Sequence, residues 1–177
     1  MLKKKRLTEL LRVSLLAAFI CVCSQIQIPF TIPITLQTFA IFTALMMLPA
    51  FDGAICVLLY IAIGLVGLPV FAGFSGGVGH IASPAGGYII GFAAAAIVYP
   101  VLRMIFGDGV RLRLLYGGIC HFVIYLIAAG WIGFVYTPEG ADGFLSALAF
   151  YVLPFVIPDG IKLFSAYLLS KKFARGE

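Results

Sequence analysis

The chain has 177 residues, of which 63% are hydrophobic and 11% charged, and it carries a net charge of +5. Ordinary soluble domains hold about 25% charged residues, so the composition excludes one and points to an all-α integral membrane protein. The basic excess calls for no nucleic acid, because membrane orientation accounts for it.

A hydrocarbon core takes about 20 apolar residues per spanning helix. Six spans are expected, over residues 7–28, 34–50, 53–68, 86–106, 112–136 and 158–170, in one membrane domain of residues 1–177 without linker or soluble extension. The first follows a basic run, as a signal peptide does. Residues 13–28 exceed a usual signal core, however, and no small-x-small cleavage site precedes a soluble domain, so this span is expected to be retained. The second, third and last spans are short. Residues 143–153 read as an interfacial or broken helix ahead of Pro154 and Pro158 that lengthens the last one. Such breaks are tolerated where protein or a cavity satisfies the freed backbone groups. Cys21, Cys23, Cys56 and Cys120 all fall inside spans and act as small apolar side chains. Their spacing suits neither a disulfide nor a metal site.

Basic residues set the orientation. Lys3, Lys4, Lys5, Arg6 and Arg12 flank the first span, Arg103, Arg111 and Arg113 border the connection between the fourth and fifth spans, and Lys171, Lys172 and Arg175 follow the last. The loops of the other side, residues 29–33, 69–85 and 137–142, hold no Lys or Arg. Both termini are therefore expected on the cytoplasmic side.

The exception among the basic residues is Lys162. It stands three positions after Asp159, and these are the only charges between Asp142 and Lys171. Each such charge costs roughly 2.5–3.5 kcal/mol on insertion scales, which makes the pair a functional candidate. Pro158 suits the first position of a helix, and residues i and i+3 face the same way. The two side chains then project into one space, either as a self-contained ion pair that pins helices or as a grip on a polar ligand.

Several apparent motifs lack their context. Gly77-Val-Gly-His-Ile-Ala82 fits a dinucleotide pattern but follows no strand, and no phosphate loop or H-E-x-x-H occurs. Gly73-Phe-Ser-Gly-Gly77 has the form of a serine nucleophile without a strand-to-helix elbow. An intramembrane enzyme pairing Ser75 with His80 or His121 would lack a third orienting group.

The glycine-dense segment is more informative. Gly67-Leu-Pro-Val-Phe-Ala-Gly73, followed by Ser83-Pro-Ala-Gly-Gly-Tyr-Ile-Ile-Gly-Phe92, resembles the signature of the BioY family. These are biotin-specific substrate-binding subunits of energy-coupling-factor (ECF) transporters. Ile28-Pro-Phe-Thr-Ile-Pro-Ile-Thr-Leu-Gln-Thr-Phe39 resembles the family's loop into its second helix, Tyr125 with Trp131 its fifth helix, and Leu153-Pro-Phe with Asp159-Gly-Ile-Lys162 its sixth. The chain departs from the family at Ser83-Pro-Ala where Gly-Pro-Thr is usual, at Pro158 before the aspartate, and at Ala128 in place of a glycine.

The resemblance implies the ECF substrate-binding-subunit fold, with six helices, in the cytoplasmic membrane of a bacterial cell. It implies biotin as transported ligand, no cofactor and no metal, and no enzymatic activity. Biotin has a ureido ring with two N–H donors and a carbonyl, an apolar body and a carboxylate. Asp159 is then an acceptor for the ureido N–H groups and Lys162 a donor to a ligand oxygen, ureido or carboxylate. Gln37 supplies an amide. Phe71, Tyr88, Tyr125 and Trp131 form walls or a lid. Backbone amides near Ser83, Gly86 and Gly87, at a helix start, are expected to hold the carboxylate. His80 is expected to be a solvated loop residue. The implied partners are a membrane coupling subunit, docked at Ala17 and Cys21 of the first helix, and two cytoplasmic ATPases. Internal packing is the other use for that small-residue stripe of Ser14, Ala17, Cys21 and Ser24. Alternatives are a binding subunit for another vitamin or heterocycle, a small intramembrane enzyme using Asp159, and a proton or ion carrier.

Overall fold

The computed structural model describes residues 2–30, 32–137 and 140–174. The charged side chains read at Lys3, Lys4, Lys5, Arg6, Asp142 and Arg175 lie outside the described set. Nearly all of the described chain is helical. Six rods follow one another: α1 (Leu2–Gln25), α2 (Gln37–Met47), α3 (Ala50–Leu65), α4 (Gly86–Phe106), α5 (Val110–Gly130), and a final rod made of α6 (Gly140–Ala147) and α7 (Leu153–Ala174). Between α1 and α2 a two-stranded antiparallel ribbon pairs β1 (Gln27–Ile28) with β2 (Ile34–Thr35), Gln27 opposite Thr35. Pro29 and Pro33 lie between the strands, where helix cannot continue easily.

Residues Leu7–Gln25, Gly86–Phe106, Val110–Tyr136 and Gly143–Phe173 are each long and apolar enough to cross a bilayer. The helices α2 and α3 are apolar but shorter, at 11 and 16 residues. At 1.5 Å per residue they span about 16 and 24 Å, less than the roughly 30 Å of a hydrocarbon core. The outer surface is studded with side chains such as Leu15, Phe122, Phe150 and Ile157 that a soluble protein would bury. The core is continuous between the rods, with Tyr60, Tyr99, Tyr116, Phe42 and Phe71 among its largest members.

The last rod corrects the expected helix start at Pro158. Helix begins at Gly140, widens into a π-helical stretch over Leu148–Val152, and runs on through both Pro154 and Pro158. A π-turn takes up an extra residue just where the prolines would otherwise break the rod. Pro158 then forfeits one backbone hydrogen bond without ending the helix. Trp131–Tyr136 forms a second π-helical stretch that extends α5.

At one end of the bundle, α2 is closed by arginines. Arg103 of α4 is buried and donates to the carbonyls of Leu45 at 3.1 Å and Leu48 at 2.9 Å, while Arg113 of α5 donates to Met46 at 2.7 Å. Both guanidiniums also hold Asp108 in the α4–α5 turn. Burial works against the Asp108 charge, yet the hydrogen bonds and charges of Arg103 and Arg113 keep its carboxyl below the usual carboxylate range. These donors occupy carbonyls that any helix leaves free at its C-terminus. Gln37 starts the same helix at the opposite end, so that end of the bundle is free to do something else.

Candidate functional site

Asp159 and Lys162 sit one turn apart on α7 and leave the same face. That face meets the first turn of α2 and the middle of α5. Asp159 is only 2% exposed. Its Oδ1 accepts from Lys162 Nζ at 2.7 Å and from Thr38 Oγ1 at 2.9 Å, and its Oδ2 accepts from the Tyr125 hydroxyl at 2.8 Å. Lys162, whose side chain is 11% exposed, also donates to Thr38 Oγ1 at 3.3 Å. A buried carboxylate survives only when charge and hydrogen bonds replace the water it lost, and here three donors from three helices do so. His121 supports the tyrosine. Its ring stacks on Phe42 with 4.4 Å between centroids and meets Tyr125 edge-on at 5.8 Å.

The pair borders a cavity of about 490 Å³, open mouth included. Ile32, Ile89, Phe92 and Phe155 make its apolar walls, and Gln37, Thr38, Tyr88, His80, Asp159 and Lys162 bring polar atoms to it. The Tyr88 hydroxyl is committed to the carbonyl of Tyr151.

The loop between α3 and α4 roofs the cavity with Ala72, His80 and Ala85. The loop is anchored at several points. The Phe71 ring occupies space against α3 that a side chain on Gly64 would fill. Tyr60 meets the same ring edge-on at 5.7 Å, and His80 stacks on it at 5.1 Å. Val70 O accepts from Ser24 Oγ at 2.5 Å and from the Tyr60 hydroxyl at 3.2 Å. The Gln25 amide binds Phe71 O at 3.0 Å and Phe74 N at 2.9 Å. Trp131 Nε1 donates to Ser83 O at 3.1 Å.

Among the residues singled out in the sequence, Asp159, Lys162, Gln37 and Tyr88 line the cavity. Tyr125 reaches it through Asp159. Phe71 is fully buried and supports the lining residue His80. The expected carboxylate cradle is altered. The Gly86 N–H is already bonded to Ser83 O at 3.0 Å, and Ser83 Oγ is committed to His80 O at 2.7 Å. Gly87 serves packing: a Cβ there would stand 2.7 Å from Trp131 Cβ and 2.9 Å from Ala128 Cα, so glycine lets α4 approach α5. Trp131 pins the loop and is not a cavity wall.

Two further expectations are corrected. His80 is half-buried against Phe71, which lowers its imidazole below the ordinary value and keeps it neutral near pH 7. Ala17 is 3% exposed and faces the bundle, because α1 packs on α2 and α3 through that side; Cys21 is only part-exposed. Among the described small side chains of α1, Ser14 and Ala18 face outward one turn apart, with Thr8 nearer the start. Thr38 was missed in the sequence, although it holds both charges. Ser75 gives its hydroxyl to Ala72 O at 2.7 Å and bonds neither His80 nor His121 among the described residues.

The BioY family model matches residues 1–176. A probable biotin transporter BioY of Pyrococcus horikoshii is 38% identical over 165 residues, 90% of this chain and 94% of that one. The biotin transporter BioY of Rhodobacter capsulatus is 32% identical over 157 residues, 85% and 83% of the two chains. The crystal structure of an S-component for biotin from an ECF-type ABC transporter aligns with a TM-score of 0.83 over 99% of this chain and 95% of that one, at 23% identity. At that identity the likeness establishes the fold.

Removing Lys162 leaves Asp159 buried without a counter-charge. Opening a buried pair from one side costs about 3–5 kcal/mol. Lys162→Met is therefore expected to lower the thermal unfolding temperature in detergent, and Asp159→Asn with Lys162→Met to recover most of the loss. A single variant as stable as the parent would show that the pair contributes nothing to the fold.

Proposed function

The chain belongs to the BioY family, and from that premise we propose that it captures biotin as the substrate-binding subunit of an ECF-type transporter. The family is one of transporters and not of enzymes. The observation that carries the reading is the hydrogen-bonding capacity left over in the cavity. Lys162 has three N–H donors and commits two, to Asp159 and Thr38. Among the described residues Asp159 Oδ2 accepts from Tyr125 alone, and it has room for a second donor. One free donor thus stands beside one free carboxylate lone pair, with apolar walls around them. A ureido ring presents a carbonyl oxygen beside an N–H, with an apolar body behind. Asp159 takes a ureido N–H and Lys162 the ureido oxygen.

The cavity lies at the end of α2 opposite the arginine clamp. With Arg103, Arg111 and Arg113 on the cytoplasmic side, it opens outward, where a scarce nutrient is met. Both termini then lie inside. Nothing in the capture site supplies energy, so uphill movement requires partners: a membrane coupling subunit and two cytoplasmic ATPases. Since Ala17 is turned inward, the coupling subunit would meet α1 across Ser14 and Ala18, where small side chains allow close helix approach.

Titration of the purified protein with biotin, followed by heat and by the fluorescence of its only tryptophan, Trp131, is expected to saturate at one ligand per chain. Asp159→Asn leaves Lys162 without its counter-charge and lowers the unfolding temperature, and it should abolish that response at a temperature where the variant remains folded. A flat titration of folded parent protein would move the assignment to another heterocycle. A reporter active only in the cytoplasm, fused after Glu177, should be active; silence would reverse the orientation. Co-expressed with a coupling module, the chain should co-purify with it, and Ala18→Trp should lose the module but keep biotin binding. Unimpaired co-purification would put the contact elsewhere.

A further inference from the structure

Gln37 lines the cavity through an amide whose two ends make opposite demands on a ligand. An N–H end would seek an acceptor, and an oxygen end a donor. Which end faces inward is decided by a residue outside the cavity lining. Gln37 Nε2 lies 2.8 Å from the hydroxyl of Tyr60, a side chain of α3 with no solvent exposure. That hydroxyl has one proton, and 3.2 Å away stands Val70 O, which can only accept. In the structure the proton is directed to Val70 O, and the hydroxyl turns a lone pair toward Gln37 and accepts from its amide N–H. The NH₂ end therefore points to Tyr60. Gln37 lines the cavity and its Oε1 makes no hydrogen bond to a described residue, which leaves that oxygen as the end of the amide available to a ligand.

We propose that Tyr60 is a positioning residue that holds the Gln37 amide oxygen-inward, so that the site selects a ligand offering a second N–H donor. This rests on the biotin reading and extends it. Asp159 Oδ2 and Gln37 Oε1 are two acceptors for the two ureido N–H groups, and Lys162 is the donor for the carbonyl between them. A ligand with an acceptor in place of the second N–H would face the Gln37 oxygen lone pair to lone pair. A site with hydrogen-bonding groups matched to its ligand rejects the mismatched analogue strongly, because a buried polar atom is left unpaired. Tyr60 adds a second effect. Its hydroxyl shares Val70 O with Ser24, at the root of the roofing loop, so the amide orientation is tied to a loop already in place.

The test is a double-mutant cycle on the full chain, with biotin and with a biotin methylated on one ureido nitrogen as the two probes. Tyr60→Phe keeps the ring, its contact with Phe71 and the Ser24 bond to Val70, and thermal unfolding checks that it folds. Loss of amide orientation is expected to weaken biotin roughly tenfold, the worth of one hydrogen bond, and to narrow the preference for biotin over the methylated analogue. In a Gln37→Leu background, Tyr60→Phe is expected to change neither quantity. An equal loss in both backgrounds, or an unchanged preference between the two probes, overturns the positioning role while leaving biotin capture intact. A folded parent protein that binds neither probe overturns the biotin reading and this inference together.

Discussion

A carboxylate and an ammonium held at membrane depth impose the central constraint on this fold. Each costs a few kcal/mol to place there alone, and their attraction offsets that only when the remaining lone pairs and protons are also satisfied. Asp159 and Lys162 share one helix, so neither needs a neighbour to find its counter-charge. The rest of their demand reaches outward. Thr38 comes from α2 and Tyr125 from α5, and those are helices against which α7 packs. The polar centre is thus a junction of three rods, and its geometry is set by the same packing that sets the bundle. What it has left after satisfying itself is what it can offer to a ligand.

The shortness of α2 follows the same logic. A helix of full bilayer length hides its free N–H and C=O groups in the headgroup region at both ends. At 11 residues, α2 keeps both ends within the protein. Its C-terminal carbonyls receive two guanidiniums, from Arg103 and Arg113, which also complement the negative end of the helix dipole. Its first turn delivers Gln37 and Thr38 to the cavity. A short helix thereby creates a polar centre at each end, one closed by arginine and one left open to a solute. The arginine clamp at one end of α2 and the Thr38–Asp159 bond at the other tie the helix to its neighbours at both ends.

Rare residues were legible in the sequence and common ones were not. Asp159 and Lys162 stood out because charge in an apolar stretch has few explanations, and the range of α4 was readable because Gly-rich turns bound it at both ends. Thr38 was invisible as a site residue, since a threonine in an apolar helix more often bonds its own backbone, as Thr43 does to Phe39 O. The run of helix through Pro154 and Pro158 was hidden because a π-turn depends on tertiary support and leaves no local pattern. Ala17 and Ala18 are chemically identical neighbours, and only the rotation of α1 against α2 and α3 decides which is buried. His80 read as a loop residue in water because its burial comes from Phe71, whose own position depends on a gap beside Gly64 in another helix.

The glycine-rich stretch looked like a backbone cradle for a ligand, yet Gly86 and Gly87 serve contacts between protein parts, while Gly67, Gly73 and Gly77 take positive φ in the turns. Gly87 admits α5, and the Gly86 amide is already bonded within the turn. What the loop contributes to the cavity is a roof with small and aromatic faces, held by Ser24, Gln25, Tyr60 and Trp131. Binding chemistry is then concentrated in side chains that stand on helices and are bonded to one another. A ligand entering such a site need not order the groups that receive it, and the entropy otherwise lost in ordering them is retained as affinity. Under the proposed roles the same arrangement limits what can bind: a solute must match three positions at once, because Thr38, Tyr125 and Tyr60 hold the groups around it.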